Sequence, residues 1–195
     1  PVGAVLNHYG ADNVTIIGVS LGGELCMRAA AMEPRIRRVV SWSVLPSIYG
    51  ALMADKPAEI RAKLEHWLDE NNRDAILDLY AGLAEREPLF RWSIQHSNYA
   101  YGTSDVYEYL QKARAFTIEP VAERITQDVL LLSAREDLLV DFALYKQEID
   151  LLKNTRSLEF AVPGRALNGQ AHCNMGNTRF MLDLILNWID RTLER

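Results

Sequence analysis

The sequence predicts an α/β fold in which the strands of a parallel sheet are joined by crossover helices. Three observations lead to this prediction. Short apolar runs alternate with amphipathic segments along the 195 residues, the runs are rich in Val, Ile and Leu, and one long interval has no strand pattern. A chain of this length with 49% apolar residues is large enough to bury the core of one domain.

Four apolar runs are predicted strands, and two segments beside them are predicted helices. The strands are residues 14–19, 36–44, 128–133 and 157–162. The first helix covers residues 21–32 and ends near Pro34, and the last covers about 177–193. In the last helix, a core-facing stripe is predicted at Phe180, Leu184, Trp188 and Ile189.

The interval between the second and third predicted strands has helical patterns. Apolar residues share a helix face in three places: Ile60, Leu64, Trp67 and Leu68 after Pro57; Ile76, Leu77, Tyr80 and Leu83; and Val106, Leu110 and Ala113. We therefore predict that residues 1–46 and 118–195 form the sheet domain. Residues 47–117 are predicted to form a helical cap insertion.

Gly18-Val19-Ser20-Leu21-Gly22 is a G-x-S-x-G pattern at the junction of the first predicted strand and helix. A sharp strand-to-helix turn raises the serine hydroxyl above the sheet, and the flanking glycines leave room for neighbouring backbone. The N–H of Leu21 at the amino end of the helix can donate to an oxyanion. The pattern predicts Ser20 as a nucleophile, with a glycine-rich turn around an ordinary serine as the alternative.

A nucleophilic serine needs a base, and the base needs an acid that orients it. In folds with this serine turn the chain order is serine, acid and histidine, each after a strand. The loop after the third predicted strand contains Asp137, with Glu136 and Asp141 as competing acids. Of the four histidines, only His172 follows the last predicted strand. The sequence therefore predicts a triad of Ser20, Asp137 and His172.

These motifs resemble the C-terminal two-thirds of an α/β-hydrolase. Residues 134–140 are similar to the family's G-x-x-D-x-x-V acid motif, with Ala134 at the glycine position, and this favours Asp137 over its neighbours. Tyr101-Gly102 and Ala171-His172-Cys173 resemble a bacterial branch described as acylaminoacyl- or dipeptidyl-peptidase-like. The carbon–carbon bond hydrolase for dihydroxypseudooxynicotine also resembles this branch. The resemblance implies an α/β-hydrolase fold with a helical cap and a serine hydrolase triad.

Members of this family have strands before the nucleophile strand, and a loop after one of them supplies the second oxyanion N–H. This chain starts one helix before residues 14–19, so those strands are absent from it. The first strand would then lie at a sheet edge, although its composition is that of a buried strand. We expect the chain to be part of a longer protein whose N-terminal part is its partner, with a homo-oligomer as a further prediction.

Composition argues against several other classes of protein. The formal net charge of −5 disfavours nucleic acid and anionic membranes as partners. No apolar run approaches the roughly 18 residues of a membrane span. Cys26 and Cys173 form no disulfide framework, and a cytoplasmic location is predicted. The histidines lack the spacing of metal motifs, so neither a metal nor a cofactor is predicted.

The predicted activity is cleavage of an ester or amide bond in a small-molecule or peptide substrate through an acyl-enzyme. Carbon–carbon bond hydrolysis by the same triad is an alternative that the residues do not separate from the first. A third alternative is a catalytically silent α/β-hydrolase fold used for binding or regulation. The three triad residues, in the expected order, argue against the silent fold.

Overall fold

Four parallel strands form one sheet in the computed structural model, which describes residues 1–54 and 56–193. The strands are β1 (Val14–Val19), β2 (Ile36–Trp42), β3 (Asp128–Leu132) and β4 (Ser157–Ala161). They lie side by side in chain order, and every neighbouring pair is parallel. The predicted parallel sheet with crossover helices is confirmed. β1 has its predicted bounds, and the other three strands end one or two residues early.

Nine α-helices occur in the described residues. They are α1 (Val2–Tyr9), α2 (Leu21–Met32), α3 (Ile48–Ala54), α4 (Ala58–Asp69), α5 (Arg73–Arg86), α6 (Pro88–Tyr101), α7 (Val106–Ala113), α8 (Ala143–Leu151) and α9 (Thr178–Leu193). The predicted helix at 21–32 coincides with α2. Pro57 was predicted in a first turn but directly precedes α4. α3 and α6 lie within the predicted helical insertion, although no individual helix was predicted at either position, and α8 was not predicted.

The sheet is covered on both faces, and alternate strand residues belong to different cores. Val39, Val129 and Leu131 pack in one cluster with α2 and with Tyr145 of α8. The residues between them in the strands face the other side and pack against α9: Val40, Trp42, Leu130 and Leu132. β3 is buried at all five positions. A central strand with an apolar composition therefore anchors both layers of helices.

The stripe of α9 that was predicted to face the core was wrong: the stripe that is buried lies about one residue further along the helix. Only Trp188 of that stripe is fully buried, and the other buried positions are Met181, Ile185 and Thr192. The remaining predicted residues flank the core and are partly buried: Phe180, Leu184 and Ile189. Apolar residues lie on both stripes, so periodicity alone did not determine which line faces the sheet.

The described residues divide into two compact units, one of residues 1–54 with 117–193 and one of residues 56–116. The second unit consists of α4 to α7. Its core contains residues from the three predicted helix faces: Leu64, Leu68, Ile76, Tyr80, Val106, Leu110 and Ala113. The Asp105 side chain begins α7 by accepting from the Glu108 N–H at 3.0 Å. The predicted bounds 47–117 and 118–195 include Asp55 and the last two residues, which lie outside the described residues.

Within the described part of the chain, β1 lies at one edge of the sheet and pairs only with β2. Ile17 and Val19 are 44% and 48% exposed, although both are strongly apolar strand residues. An exposed apolar edge strand is unusual in a natural sheet because its free N–H and C=O groups attract further strands.

No helix within 1–54 and 56–193 is long and apolar enough to cross a bilayer.

Candidate active site

Ser20 occupies a strained turn between β1 and α2. Its φ is +55°, a region that L-residues other than Gly, Asn and Asp seldom adopt. The Ser20 N–H donates to the Trp42 carbonyl at 2.8 Å, and its own carbonyl accepts from the Gly23 N–H at 2.8 Å. These two bonds tie the turn to the end of β2 and to the first turn of α2. The surrounding structure therefore holds the conformation that Ser20 alone would avoid.

Glycines beside Ser20 differ in how much space they have. A Cβ on Gly18 would lie 1.8 Å from the Gly22 carbonyl oxygen, and one on Gly23 would lie 2.6 Å from the Ser43 carbonyl oxygen. A Cβ on Gly22 would meet no heavy atom within 4 Å. Both flanking glycines were predicted to make room for the backbone. This prediction was wrong for Gly22, and Gly23 takes that role because α2 approaches the end of β2 there.

A continuous hydrogen-bond chain joins Ser20, His172 and Asp137. The Ser20 Oγ lies 2.8 Å from His172 Nε2, and His172 Nδ1 lies 2.8 Å from Asp137 Oδ2. The three residues follow β1, β4 and β3, whose carboxyl ends meet at one edge of the parallel sheet. The chain thus brings together side chains that are 35 to 152 residues apart in sequence.

Competing acids point elsewhere. Glu136 is exposed and pairs with Arg165, with 2.6 Å between Glu136 Oε1 and Arg165 Nε. The Asp141 Oδ1 accepts from the Ala143 N–H at 2.7 Å, at the start of α8. Of the three candidates, Asp137 is the acid in contact with His172.

The Asp137 carboxylate is held in place by four donors. Its Oδ2 accepts from His172 and, at 3.3 Å, from the Ser43 hydroxyl. Its Oδ1 accepts from the N–H groups of Leu139 and Val140 at 2.8 and 3.1 Å. Burial alone would raise the pKa of Asp137, but the hydrogen bonds from His172, Leu139 and Val140 outweigh it and lower that pKa. The acid therefore stays ionised beside the imidazole.

The imidazole of His172 is tuned by its neighbours. Its hydrogen bond to Asp137 raises the pKa of His172, and Cys173 acts in the same direction. A raised pKa makes the imidazole a stronger acceptor for a proton from Ser20. The His172 side chain keeps 24% of its surface exposed, whereas that of Asp137 keeps 3%. The imidazole is thus reachable from solvent, while the carboxylate bonded to it is not.

Leu21 is the first residue of α2. N–H groups in the first turn of an α-helix have no acceptor within the helix, and the helix dipole makes this end attractive to negative charge. The Leu21 N–H is therefore available beside the Ser20 hydroxyl. This is the position that the sequence predicts for an oxyanion donor.

Two residues that the sequence analysis missed hold the triad loops. Asn174 is buried with φ +51°, and its Nδ2 donates to the carbonyls of Ser133 and Gly169 at 3.1 and 2.5 Å. Its Oδ1 accepts from the Trp42 indole at 3.3 Å. Ser43, at φ +81°, contacts Asp137. Asparagine tolerates the left-handed region, and that preference, two residues after His172, was the available signal.

Replacement of Asn174 by aspartate should destabilise the protein by about 2 to 3 kcal/mol, because a buried carboxylate would face two carbonyl oxygens that now accept hydrogen bonds. Chemical denaturation at neutral pH measures this loss. Asn177→Asp is the matched control because the Asn177 amide also donates to a backbone carbonyl, that of Leu167 at 3.0 Å, but at an exposed position, and its Oδ1 accepts from the Phe180 N–H. We expect the control to change the free energy of unfolding by less than about 0.5 kcal/mol. Equal losses in the two variants would contradict a role for the Asn174 amide.

No group of three or more His, Cys, Asp and Glu side chains that suits a metal ion occurs among residues 1–54 and 56–193. Cys26 and Cys173 are both free thiols and both buried. The Cys26 Sγ lies 3.1 Å from the Gly23 carbonyl oxygen, which fits packing beneath the serine turn.

Comparisons with known proteins agree on the fold. A family model described as the alpha/beta hydrolase fold matches residues 1–165. Hydrolase LUC6 from a Fusarium species is 26% identical over 117 residues, which are 60% of this chain and 27% of that protein. The chain thus spans about a quarter of the length of that relative.

Two solved structures are similar in three dimensions. The α/β hydrolase GrgF from Penicillium sp. sh18 has a TM-score of 0.62 at 15% identity, covering 97% of this chain and 69% of that one. E-2-(acetamidomethylene)succinate hydrolase has a TM-score of 0.56 at 22% identity, covering 97% of this chain and 71% of that one. The family match covers most of the chain and agrees with the parallel sheet and the strand-to-helix serine turn. The chain therefore belongs to the α/β-hydrolase fold family.

Proposed function

We propose that this chain carries the catalytic core of a serine hydrolase that cleaves an ester or amide bond through an acyl-enzyme. The observation that carries the proposal is the hydrogen-bond chain from Ser20 through His172 to Asp137, with 2.8 Å at each step. Serine becomes a good nucleophile only beside a base, and the base needs a third group to fix its tautomer. In this proposal Ser20 is the nucleophile, His172 is the base and Asp137 is the group that fixes the tautomer of the base.

The proposed reaction follows from the positions of these atoms. Ser20 Oγ attacks the carbonyl carbon while His172 Nε2 takes the hydroxyl proton, and Asp137 stabilises the imidazolium through Nδ1. The Leu21 N–H donates to the oxyanion that forms. His172 then gives its proton to the leaving alcohol or amine, and the acyl group remains on Ser20. Water, deprotonated by His172, attacks the ester carbonyl, and the carboxylic acid leaves as Ser20 regains its proton.

The proposed substrate is a small molecule or peptide with an ester or amide bond. The resemblance of Ala171-His172-Cys173 to the peptidase-like branch supports acylated peptides as one class to test. Carbon–carbon bond hydrolysis would use the same three residues, with a carbanion as the leaving group in place of an alcohol or amine. A substrate panel that includes esters, acylated peptides and a β-diketone separates these chemistries.

We further propose that strands from a preceding segment of the same protein pair with β1 and supply the second oxyanion N–H. The exposed Ile17 and Val19 on the edge strand support this proposal because such apolar side chains are normally covered. The helical unit of residues 56–116 is proposed to act as the cap. The predicted cytoplasmic location remains a proposal as well.

Fluorophosphonate labelling followed by mass spectrometry tests the proposal, applied both to this chain and to a longer protein that includes it. We expect label on Ser20 in the longer protein, because His172 activates its hydroxyl, and no label in Ser20→Ala. Ser104→Ala is the matched control, since Ser104 lies in the helical unit, and it should label normally. Weak labelling of the short chain alone would agree with an incomplete oxyanion hole. A folded longer protein that takes no label would favour a binding or regulatory role.

A further inference from the structure

Two glutamates are completely buried on the sheet face that α2 and α8 cover. Glu24 lies in the first turn of α2, four residues after Ser20, and Glu148 lies in α8. Both have 0% of their surface exposed. An ionised carboxylate is strongly disfavoured away from water unless it is paired, so such groups are usually neutral or bonded to a cation.

The hydrogen bonding of this pair is incomplete. Glu24 Oε1 accepts from Arg28 at 3.2 Å, whereas Glu24 Oε2 and both carboxyl oxygens of Glu148 have no hydrogen-bond partner among the described residues; the Leu45 N–H faces Glu148 outside the geometry of a hydrogen bond. The hydroxyls of Ser41 and Tyr145 are also buried without one. The proposed triad uses none of these groups. Burying these polar groups without partners destabilises the folded state, and other contacts of the fold must compensate for it.

Charged and titratable groups around Glu148 come from both helices. Burial raises the pKa of Glu148 to about 8; the facing Leu45 N–H opposes this, and repulsion from Glu24 adds to it. Burial also raises the pKa of Glu24, and Arg28 partly offsets that effect. Glu148 in turn helps to raise the pKa values of Cys26 and Tyr145. At neutral pH, therefore, Glu148 keeps its proton, and the Arg28 guanidinium partly offsets the effect of burial on Glu24.

The two helices carry the elements on either side of the triad. α2 begins directly after Ser20, and α8 begins six residues after Asp137. Cys26 and Met27 of α2 share one hydrophobic cluster with Tyr145 of α8. Ionisation of Glu148 would place an unpaired negative charge near Glu24 in this buried layer, and a buried charge is strongly disfavoured unless water or a cation reaches it. Its effect would reach the Ser20 turn through one helix and the Asp137 loop through the other.

We propose that Glu24 and Glu148 are a positioning pair: while Glu148 is neutral, α2 and α8 pack tightly and hold Ser20 and the Asp137 loop in register, and its ionisation in alkaline solution loosens both. The activity part of this inference rests on the proposed hydrolase function. The stability part does not.

Unfolding at a series of pH values tests the stability part. The pKa of Glu148 rises from 4.5 in a free side chain to about 8 in the folded protein, so below about pH 4.5 both states hold the proton. Between about pH 4.5 and 8 only the folded state holds it, and the folding equilibrium constant should fall by up to about tenfold for each pH unit. Above about pH 8 the loss is complete.

Glu148→Gln should flatten this profile because the amide does not titrate. Glu24→Gln should move the upper end of this profile to lower pH, because repulsion from Glu24 no longer adds to the raised pKa of Glu148. Glu65→Gln, on an exposed face of α4, is the matched control and should follow the parent. Parallel profiles for Glu148→Gln and the parent would overturn the proposal. Should Glu148→Gln fail to fold, infrared spectra of the parent decide: a protonated carboxyl at pH 7 that disappears above pH 9 is expected, and its absence overturns the proposal.

The activity part is read from the alkaline limb of kcat in the longer protein. This limb should move to higher pH in Glu148→Gln and stay in place in Glu65→Gln. If the stability profile of Glu148→Gln is flattened but the alkaline limb of its kcat does not move, the positioning role is overturned and the effect of Glu148 on stability stands. Complete absence of hydrolysis and labelling, with the stability profiles as expected, would contradict the proposed function and leave the buried pair intact.

Discussion

Asp137→Asn is expected to lower kcat for ester hydrolysis by about 10⁴-fold, the largest loss we predict for a change of so few atoms. The N–H groups of Leu139 and Val140 both point at Oδ1. They would fix the amide oxygen of asparagine at that position and turn its NH₂ group toward His172. His172 Nδ1 would then accept a hydrogen bond instead of donating one. The imidazole proton would then be on Nε2, and a protonated Nε2 cannot accept the proton of Ser20.

Steady-state kinetics and fluorophosphonate labelling of the proposed longer protein measure this loss, with a circular dichroism spectrum to show that the variant is folded. Glu136→Gln and Asp141→Asn are the matched controls, because both acids lie in the same loop region and neither contacts His172. We expect each control to keep kcat within about threefold of the parent, because surface changes away from the site are nearly neutral. A folded Asp137→Asn variant with near-parental kcat would contradict the triad, and a large loss in Glu136→Gln would assign the acid elsewhere.

Gly18→Ala is the second large effect, and it acts on stability. The added Cβ would lie 1.8 Å from the Gly22 carbonyl oxygen and 2.8 Å from Cys26 Sγ. The first of these neighbours is helix backbone, so α2 itself would have to move away from β1. We expect a loss of about 3 kcal/mol or more in the free energy of unfolding, or failure to fold.

Gly22→Ala is the control for this change because it alters the other glycine of the same motif. Its Cβ would point into open space, and alanine is favoured over glycine in a helix by up to about 1 kcal/mol. We expect stability to be unchanged or slightly increased, as measured by denaturant titration and by the yield of soluble protein. If Gly18→Ala and Gly22→Ala lowered the free energy of unfolding by similar amounts, the need for glycine in this motif would have a cause other than space for the neighbouring backbone.

Local patterns were sufficient to predict the sheet and to select the three residues that the structure joins in one hydrogen-bond chain. β1 and α2 have their predicted bounds because the apolar run, Ser20 and the glycines after it mark the junction within a few residues. His172 and Asp137 could be selected because each follows an apolar run, and the carboxyl ends of parallel strands meet at one edge. The resemblance to the acid motif separated Asp137 from Glu136 and Asp141, which composition could not do.

Contacts between distant residues could not be predicted in this way. Ser43 reaches Asp137 across 94 residues and Asn174 reaches Trp42 across 132, and neither pair has a sequence pattern. The face of α9 was misjudged for a related reason, since the sheet and not the helix determines which stripe is buried. Glu24 and Glu148 look like ordinary surface glutamates until the packing of two helices encloses them.

The backbone of Ser20 has an evolutionary consequence. At φ +55° glycine would be relaxed, whereas serine costs the fold about 1 to 3 kcal/mol. Selection for stability alone would therefore favour glycine here, whereas the proposed nucleophilic role of the hydroxyl would retain the serine. A duplicated gene released from that role should drift toward glycine at this codon and gain stability. Such a substitution would distinguish a decayed copy from a working one before any assay is made.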